Sequence, residues 1–363
     1  MSKTFANLME GRKSPTINHR DRAKSVTQAY QLFRESLSGT MTTKAALEEA
    51  FSTSDFPFLL GEGFAVEARS AYREVVDETA SLTYRRGVPD FRKRKMIDIF
   101  GATYFEHVAE GEEYKSDNPF EETEIEYSVE KFGRVYGLTW ERFLEGDFSD
   151  LADFPGLIGR GAANTRNREV YNLLTNDGAP AAGFFNEVST APLTYDSLLA
   201  AKQHIGTQQL ANGRPVSTNS LVLVVPTALA DHARALVSAQ GITETTGVGT
   251  DSQIEIQRAN PLAGITVQES MEWQIQNGNS VTAWALLPSG TSLNPAVIHA
   301  YLNGYQDVDI RVKRDQGDRV GGGQLGFQDG SFEDDTIWYR GRYIIGVAQA
   351  WNQGTYASTG TDS

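Results

Sequence analysis

The sequence contains no cysteine among its 363 residues. This absence excludes disulfide bridges, thiolate zinc sites and thiol nucleophiles, because each of them requires a cysteine side chain. It also fits a protein of a reducing cytoplasm. The sequence lacks an apolar run of the about 18 residues that a membrane-spanning helix needs, and its start, MSKTFANLMEGRK, lacks the apolar core of a signal peptide. We therefore expect a soluble protein that is not secreted and does not contact a membrane.

Catalytic motifs are also missing from the sequence. It has no GxxxxGK[ST] phosphate loop, no HExxH zinc motif and no GxSxG nucleophile elbow. The acidic triplet at 333–335 lacks the alternate spacing of a calcium loop. The histidines are scattered without the spacing of metal ligands: His19, His107, His204, His232 and His299. We therefore predict no catalytic residue, no metal site and no cofactor.

One segment matches a nucleotide-binding motif in its letters only. GGGQLG at 321–326 has the form GxGxxG. That fingerprint needs a strand before it and a helix after it, because the helix N-terminus receives the pyrophosphate. The residues that follow, FQDGSFEDDTIWYRGRY, have turn and strand character instead. We interpret the segment as a loop, and a soluble α/β nucleotide-binding enzyme remains as an alternative from another functional class.

Positive charge is scarce and unevenly placed. The 33 Lys and Arg face 47 Asp and Glu, which gives a net charge of −14 and argues against a protein that grips nucleic acid through a broad basic surface. Residues 1–35 are nevertheless basic, and so is YRRGVPDFRKRK at 84–95, whereas the stretch from 110 to 130 holds nine acidic residues and one lysine. Neighbouring blocks of opposite charge suit a solvated surface, and they also suit contacts between copies of one chain.

A strand pattern of unusual length runs through TEIEYSVEKFGRVYGLTWERF at 123–143. Its first half alternates apolar and polar residues, which predicts a strand with one covered face. The extended pattern continues to Trp140, and about 18 residues at strand rise span about 60 Å. A compact chain of this length has a radius of gyration of only about 21 Å. Together with IDIFGATYFEHVA and the turn-rich EGEEYKSDNPFEE before it, the stretch predicts a long two-stranded hairpin at 97–139.

The strongest helix signal follows, in SDLADFPGLIGRGAANTRNREVYNLLTNDG. Asp153 is a suitable N-cap, Pro155 suits the first turn, and the Asn-Asp-Gly at 176–178 suits the end, so we predict a helix over 154–176. Its two ends are apolar, but residues 164–169 are polar on all sides. We therefore expect a helix that is packed at both ends and exposed in the middle.

The remaining segments mix helices and strands. From about residue 194, helical TYDSLLAAKQHIGTQQL and TALADHARALVSA alternate with strand-like SLVLVVP, GITVQESM and VTAWALLPS, and further strands follow in PAVIHAYLNGYQDVDIRVKRD and TIWYRGRYIIGVAQAW. The N-terminal residues 1–55 form a polar lead-in with one predicted helix at 25–38 and a second helical stretch, TTKAALEEAF. We expect the C-terminal NQGTYASTGTDS to be loose.

In their order, these elements resemble the tailed-bacteriophage major capsid protein family with the Hong Kong 97-type fold. The stretch VEKFGRVYGLTWERFLEGDFSDLADFPGLIGRGAANTRNREVYNLLTND is similar to the base of that family's extended loop and its spine helix. SLVLVVPTALADHARAL is similar to a strand and helix of the axial domain, and RDQGDRVGGGQLGFQDGSFEDDTIWYRGRYIIGVAQAW to closing strands of the peripheral domain. The likeness covers about residues 50–350. It implies an α+β chain with an N-arm, an extended β-hairpin loop (E-loop), a peripheral domain with a long spine helix and an axial domain.

The resemblance also implies boundaries within the chain. They are 1–55 for the N-arm, 56–96 for the first part of the peripheral domain, 97–139 for the extended loop, 140–190 for the peripheral part with the spine helix 154–176, 191–310 for the axial domain, 311–350 for the closing peripheral strands and 351–363 for the C-terminal tail. Many family members begin with a long scaffolding segment that is cleaved. Only about fifty residues precede the resemblance here, so we expect scaffolding from a separate protein, beside portal and possible decoration proteins.

The function implied by the resemblance is structural. We expect a major capsid protein, not an enzyme, whose copies form pentamers and hexamers of an icosahedral head around double-stranded DNA, in a virion assembled in the host cytoplasm. An encapsulin-type bacterial nanocompartment shell shares the fold and is the alternative within this class. Contact with DNA should be weak and non-specific. We expect it from the N-arm and from Arg160, Arg166 and Arg168 on the spine helix.

The charge blocks suggest where copies of the chain touch. We expect an acidic set at the hairpin tip to face a basic set on the next copy. The acidic residues are Glu110, Glu112, Glu113, Glu121 and Glu122, and the basic residues are Arg85, Arg86, Arg92, Lys93, Arg94 and Lys95. On this hypothesis residues 108–130 are dispensable for folding of the subunit and necessary for stability of the shell.

Overall fold

The structure is a computed structural model of the chain. It describes residues 56–97, 107–114, 124–139, 149–210, 215–246, 254–313, 317, 320 and 331–361. The predicted N-arm with its helix at 25–38, most of the hairpin tip and the GGGQLG segment lie outside the described residues. Among the helices in the ranges given, none is long and apolar enough to cross a membrane.

Helices and strands both occur along the whole described chain. The helices are α1 (Phe56–Glu74), α2 (Ser149–Leu174), α3 (Tyr195–Thr207), α4 (Thr227–Ser238) and α5 (Met271–Gln276). The strands are β1 (Thr83–Val88), β2 (Arg94–Ile97), β3 (Glu124–Tyr127), β4 (Glu130–Thr139), β5 (Thr175–Asn176), β6 (Ala179–Pro180), β7 (Glu187–Ser189), β8 (Leu221–Val225), β9 (Gly241–Thr246), β10 (Ile254–Ala259), β11 (Thr266–Glu269), β12 (Trp284–Pro288), β13 (Val297–Leu302), β14 (Asp309–Val312), β15 (Thr336–Gln349) and β16 (Tyr356–Ser358). The predicted α+β class is confirmed.

The chain forms two compact units. The first unit comprises Met1–Glu74, Gly133–Ala162 and Asp307–Arg342, and the second comprises Val75–Phe132, Ala163–Gln306 and Tyr343–Ser363. Three elements, α2, β4 and β15, contribute residues to both units.

The first unit combines α1 and the first half of α2 with strands from β4, β14 and β15. Gly159 of α2 lies so close to α1 that an added Cβ would come 2.1 Å from the carbonyl oxygen of Ala68, so only glycine permits this approach. β14 pairs with β15 in antiparallel register, with Asp309 opposite Arg342. The two side chains also form an ion pair of 2.6 Å.

The second unit is built around a sheet with the strand order β11-β8-β12-β16-β7. Both faces of this sheet are covered, which explains why β8, with the sequence LVLVV, is buried at every position. Leu221, Leu223 and Val225 pack in the cluster that includes α3 and α4 residues. Val222 and Val224 point the other way, into a cluster with the end of α2 and with Trp273 of α5.

The prediction of a loose C-terminal tail is wrong for most of the tail. Strand β16 lies between β12 and β7, and its residues Ala357 and Ser358 are completely buried. β16 pairs antiparallel with β12 and parallel with β7. The sequence TYAS has few apolar groups, so the local pattern underestimates it. The strand is held by pairing on both edges and by burial of Tyr356 and Ala357 in two core clusters.

The single long strand predicted up to Trp140 is also wrong. The stretch forms two strands, β3 and β4, which pair with β2 and β15 respectively, and Ser128 and Val129 interrupt them. At this break the backbone of Ser128 approaches Gly346, where an added Cβ would lie 1.8 Å from the Ser128 carbonyl oxygen. The break therefore moves the chain from one sheet to another.

The predicted spine helix exists, with shifted ends. α2 begins at Ser149 rather than at residue 154 and ends at Leu174 rather than at residue 176. Pro155 lies inside the helix instead of in its first turn. The preference of proline for the first turn is a local one, and here the tertiary structure overrides it.

Candidate functional site

The base of the predicted hairpin is a β2–β3 ladder in the second unit. The pairing is antiparallel, and it sets Arg94 opposite Tyr127 and Ile97 opposite Glu124. The ladder places Ile97 and Glu124 side by side, so the two ends of the connecting segment 98–123 start from the same place. We call residues 98–123 the excursion. A hairpin at this place requires two antiparallel strands at its base, and β2 and β3 are paired in this way.

The base is fixed to the second unit by apolar packing. Met96, Ile125 and Tyr127 are buried in one cluster. The same cluster includes Val129, which follows β3, and residues of β13 and β15. The expectation that residues 108–130 are all dispensable for folding is therefore wrong, because part of that range belongs to the core. The dispensable part can be no longer than the excursion.

The described part of the excursion exposes acidic and aromatic side chains. Glu110, Glu112 and Glu113 are exposed, and Tyr114 is 87% exposed. A turn at Gly111, with φ of 88°, orders this segment locally. Glu121 and Glu122 lie outside the described residues.

The predicted basic residues are brought together around the hairpin base, and several of them already have partners in their own chain. The ion pairs are Arg85 with Asp77, Lys93 with Glu126 at 3.4 Å, and Arg94 with Asp90 at 2.9 Å. The own-chain partners therefore neutralise part of the positive charge that was expected to face another copy.

The other members of the basic set differ in their surroundings. The guanidinium of Arg86 lies 5.9 Å from the ring centroid of Tyr127, a cation–π contact that joins the basic stretch to β3. Lys95 is exposed on β2, opposite Glu126. Arg92 is exposed; its backbone amide donates a hydrogen bond of 3.2 Å to Asp90, and its guanidinium forms no ion pair within the described part of the chain.

The middle of α2 is exposed on one side only, which corrects the prediction of an exposed middle drawn from its polar composition. Arg166 and Asn167 are each 4% exposed. The Arg166 Nε lies 3.4 Å from an oxygen of Asp77, and the Asn167 amide donates a hydrogen bond of 3.2 Å to the carbonyl of Val76. Arg166 therefore cannot serve as a surface contact for DNA, whereas Arg160 and Arg168 are exposed as expected.

Asp77 is the centre of this polar cluster. It forms ion pairs with both Arg85 and Arg166, and it accepts hydrogen bonds from the amide and hydroxyl of Thr79 at 3.1 and 2.7 Å. His299 of β13 is the register partner of Arg85 in β1 and is 4% exposed. Burial, together with the charges of Arg85 and Arg166, lowers the pKa of His299 to about 4. At neutral pH this histidine is therefore an uncharged structural residue.

The local sequence pattern did not predict the polar cluster around Asp77. Asp77 lies in the loop before β1, and its partners come from α2 and β1. The sequence of a polar stretch on a helix predicts solvent exposure when the residues that pair with it are distant in the sequence. Within the residues that the structure describes, no group of three or more His, Cys, Asp or Glu side chains is placed to hold a metal ion.

Comparison with known proteins gives one family match and several remote structural likenesses. A profile of the phage capsid protein family matches residues 121–355. No curated protein gives a significant match. The capsid of cyanophage P-SCSP1u is 10% identical, with a TM-score of 0.45 over 77% of this chain and 86% of that chain. The capsid of Helicobacter pylori bacteriophage KHP30 is 10% identical, with a TM-score of 0.42 over 78% and 88%. The SrpI encapsulin of Synechococcus elongatus is 12% identical, with a TM-score of 0.42 over 80% and 89%.

The family match covers more than half of the chain and confirms the resemblance drawn from the sequence. It spans the β3 strand of the hairpin base, α2 and every strand of the central sheet of the second unit except β16. The structural, non-enzymatic role predicted from the sequence follows from this family. The chain belongs to the phage capsid protein family and is a structural component of the virion shell.

Proposed function

We propose that this capsid protein builds the head of a tailed bacteriophage, by forming pentamers and hexamers that close into an icosahedral shell around double-stranded DNA. One observation carries the proposal, namely the β2–β3 ladder from which residues 98–123 leave and to which they return. Two arms of about 13 residues can extend about 40 Å from this base. An excursion of that length can lie across a neighbouring copy in a shell.

The surface chemistry of the excursion supports contact with a second copy. Its described part exposes Glu110, Glu112, Glu113 and Tyr114. Four members of the expected basic set are exposed, namely Arg85, Arg92, Lys93 and Lys95. An exposed ion pair contributes at most about 1 kcal/mol. A shell repeats each contact in every subunit, so weak pairs add up to a stable particle.

The proposal also names the parts of the subunit. Residues 1–55 act as the N-arm, 97–139 as the extended loop, 191–310 as the axial domain, and 56–96, 140–190 and 311–350 as the peripheral domain. These boundaries cut across the central sheet of the second unit. Strands β7 and β16 lie outside 191–310 but belong to the same sheet as strands from that segment. In this proposal the axial domain therefore includes β7, which precedes residues 191–310, and β16, which follows them.

An acidic subunit suits a container for DNA. The net charge of −14 keeps packaged DNA from binding tightly to the wall. The basic N-arm and the exposed Arg160 and Arg168 supply local, non-specific contacts. In this account a scaffolding protein, a portal and, where needed, a decoration protein are separate chains, and the particle assembles in the host cytoplasm.

Electron microscopy tests the proposal directly. The chain is expressed with the scaffolding, portal and packaging proteins of its genome, and purified particles are imaged and treated with nuclease. We expect closed icosahedral particles with pentamers and hexamers that protect double-stranded DNA. A chain that stays monomeric under all these conditions contradicts the proposal. Closed particles that enclose protein cargo and no DNA favour the encapsulin alternative instead.

A further inference from the structure

A surface cavity of about 230 Å³ lies in the second unit. The end of α2, the start of β4 and the final part of β15 form its walls. Its polar lining includes Glu130, Glu169 and Asn172, and its apolar lining includes Phe132, Leu173 and Ile345. Glu130 ends the acidic stretch at 110–130, but the function proposed above assigns no role to this cavity.

The two carboxylates make the cavity attractive to a cation. Burial raises the pKa of Glu169, and the negative charge of Glu130 raises it further, against the opposing effect of Arg168. A carboxylate that is partly withdrawn from water beside a like charge is stabilised when a positive group enters. Among the residues that the structure describes, no lysine or arginine lines this cavity.

The shape and the walls of the cavity select among cations. A water molecule occupies about 30 Å³ in the liquid, so the cavity has room for a planar head group and part of its stem. The apolar side chains suit a hydrocarbon stem rather than a hydrated metal ion. A guanidinium stays charged when it leaves water, and its fork of donors can bridge two carboxylates.

We infer that this cavity receives an arginine side chain from a second copy of this chain. The guanidinium pairs with Glu130 and Glu169, and its stem packs against the apolar wall formed by Phe132, Leu173 and Ile345. The described surface offers exposed arginines whose guanidinium forms no ion pair with the described residues: Arg92, Arg134, Arg160 and Arg340. The inference rests on the assembly of copies in the proposed function, because only assembly brings a second copy to this face.

Labelling of carboxylates in wild-type protein tests whether the cavity is occupied. Subunits and assembled shells are treated with a carbodiimide and glycine ethyl ester, and the labelled residues are quantified by mass spectrometry. We expect Glu130 and Glu169 to react in free subunits and to lose most of their labelling in shells. Glu333, an exposed carboxylate outside the cavity, serves as the reference position. Equal labelling of Glu169 in subunits and shells overturns the inference, even though the shells themselves still support the proposed function.

An arginine-selective reagent tests what occupies the cavity. Shells of the wild type, of the Glu130→Gln, Glu169→Gln double variant and of the control Glu333→Gln are labelled with hydroxyphenylglyoxal. We expect one arginine to be protected in wild-type and control shells and to become reactive in the double variant. The inference is wrong if no arginine changes its reactivity. It is also wrong if a chelator alone removes the protection of Glu169 in wild-type shells, because a metal ion then fills the cavity. If the double variant forms no shells, single Glu169→Gln shells give the same comparison.

Discussion

The buried Arg166 forms an ion pair with the half-buried Asp77, with 3.4 Å between the Arg166 Nε and an Asp77 oxygen. The pair joins the middle of α2 to the loop before β1 inside the second unit. Asp77 also binds Arg85, whose strand neighbour is His299. The polar segment of α2, whose sequence predicts solvent exposure, therefore links this helix to the loop before β1.

Replacing Arg166 should destabilise the subunit. Arg166→Ala leaves Asp77 with only part of its compensation and opens a space next to Asn167, so we expect a loss of about 3 kcal/mol in the free energy of unfolding. Arg168→Ala changes an exposed arginine of the same helix and should cost less than about 0.5 kcal/mol. Denaturant unfolding of unassembled subunits measures both. Equal midpoints for the two variants would show that the buried pair contributes nothing.

The end of α2 should not tolerate charge. Val170 is completely buried in the cluster with the central sheet, so Val170→Asp places an unpaired carboxylate in an apolar core. We expect loss of most of the soluble protein. Asn164→Asp puts the same side chain at an exposed position of the same helix and should leave the soluble yield unchanged. Comparable yields of the two variants would contradict the packing described for α2.

Acid should destabilise the subunit partly through His299. Its pKa is lowered from 6.5 to about 4 in the folded protein, so the unfolded chain binds a proton first as the pH falls. The neutral histidine thus favours the fold above pH 6.5, and this contribution is lost between about pH 6.5 and 4, up to about 3 kcal/mol.

The variant His299→Gln separates this contribution from that of the carboxylates. Its free energy of unfolding should vary less with pH between 6.5 and 4 than that of the wild type, as measured by denaturant unfolding at several pH values. Asp77, Arg85 and Arg166 face His299 in both proteins, so their titration is common to the comparison. Identical pH dependence of the two proteins would exclude His299 as the source.

The C-terminal segment should be necessary for folding. Deletion of residues 351–363 removes β16 from between β12 and β7 and uncovers the buried edges of both strands. We expect the shortened chain to be insoluble, as measured by fractionation of cell extracts. Deletion of residues 362–363 alone leaves β16 in place and should have no effect. A soluble, cooperatively unfolding chain that ends at residue 350 would refute the role assigned to β16.

The elements that could be predicted are those whose signal is local. Helix α3 has its cap at Thr194 and its apolar stripe within one segment, and β8 is apolar throughout. The order of such elements was enough to identify the capsid family. Strand β3 of the hairpin base could be predicted for the same reason, because it alternates cleanly on its covered face.

The features that could not be predicted depend on partners from distant segments. The burial of Arg166 requires Asp77, and β16 becomes a strand only between β12 and β7. The cavity at Glu169 is formed by three elements, and no single segment of the sequence carries its pattern. In each case the polar or short segment is stabilised by tertiary contacts that local periodicity does not encode.

The central proposal is that the excursion binds neighbouring copies and that folding of the subunit does not require it. Its most direct test deletes residues 98–123 and joins Ile97 to Glu124 through an Asn-Gly turn, which suits a two-residue hairpin. The account predicts soluble subunits whose unfolding free energy equals that of the wild type, and no stable shells in electron micrographs of the assembly reaction. Shells of normal number and normal resistance to high salt, formed by the shortened chain, would contradict it.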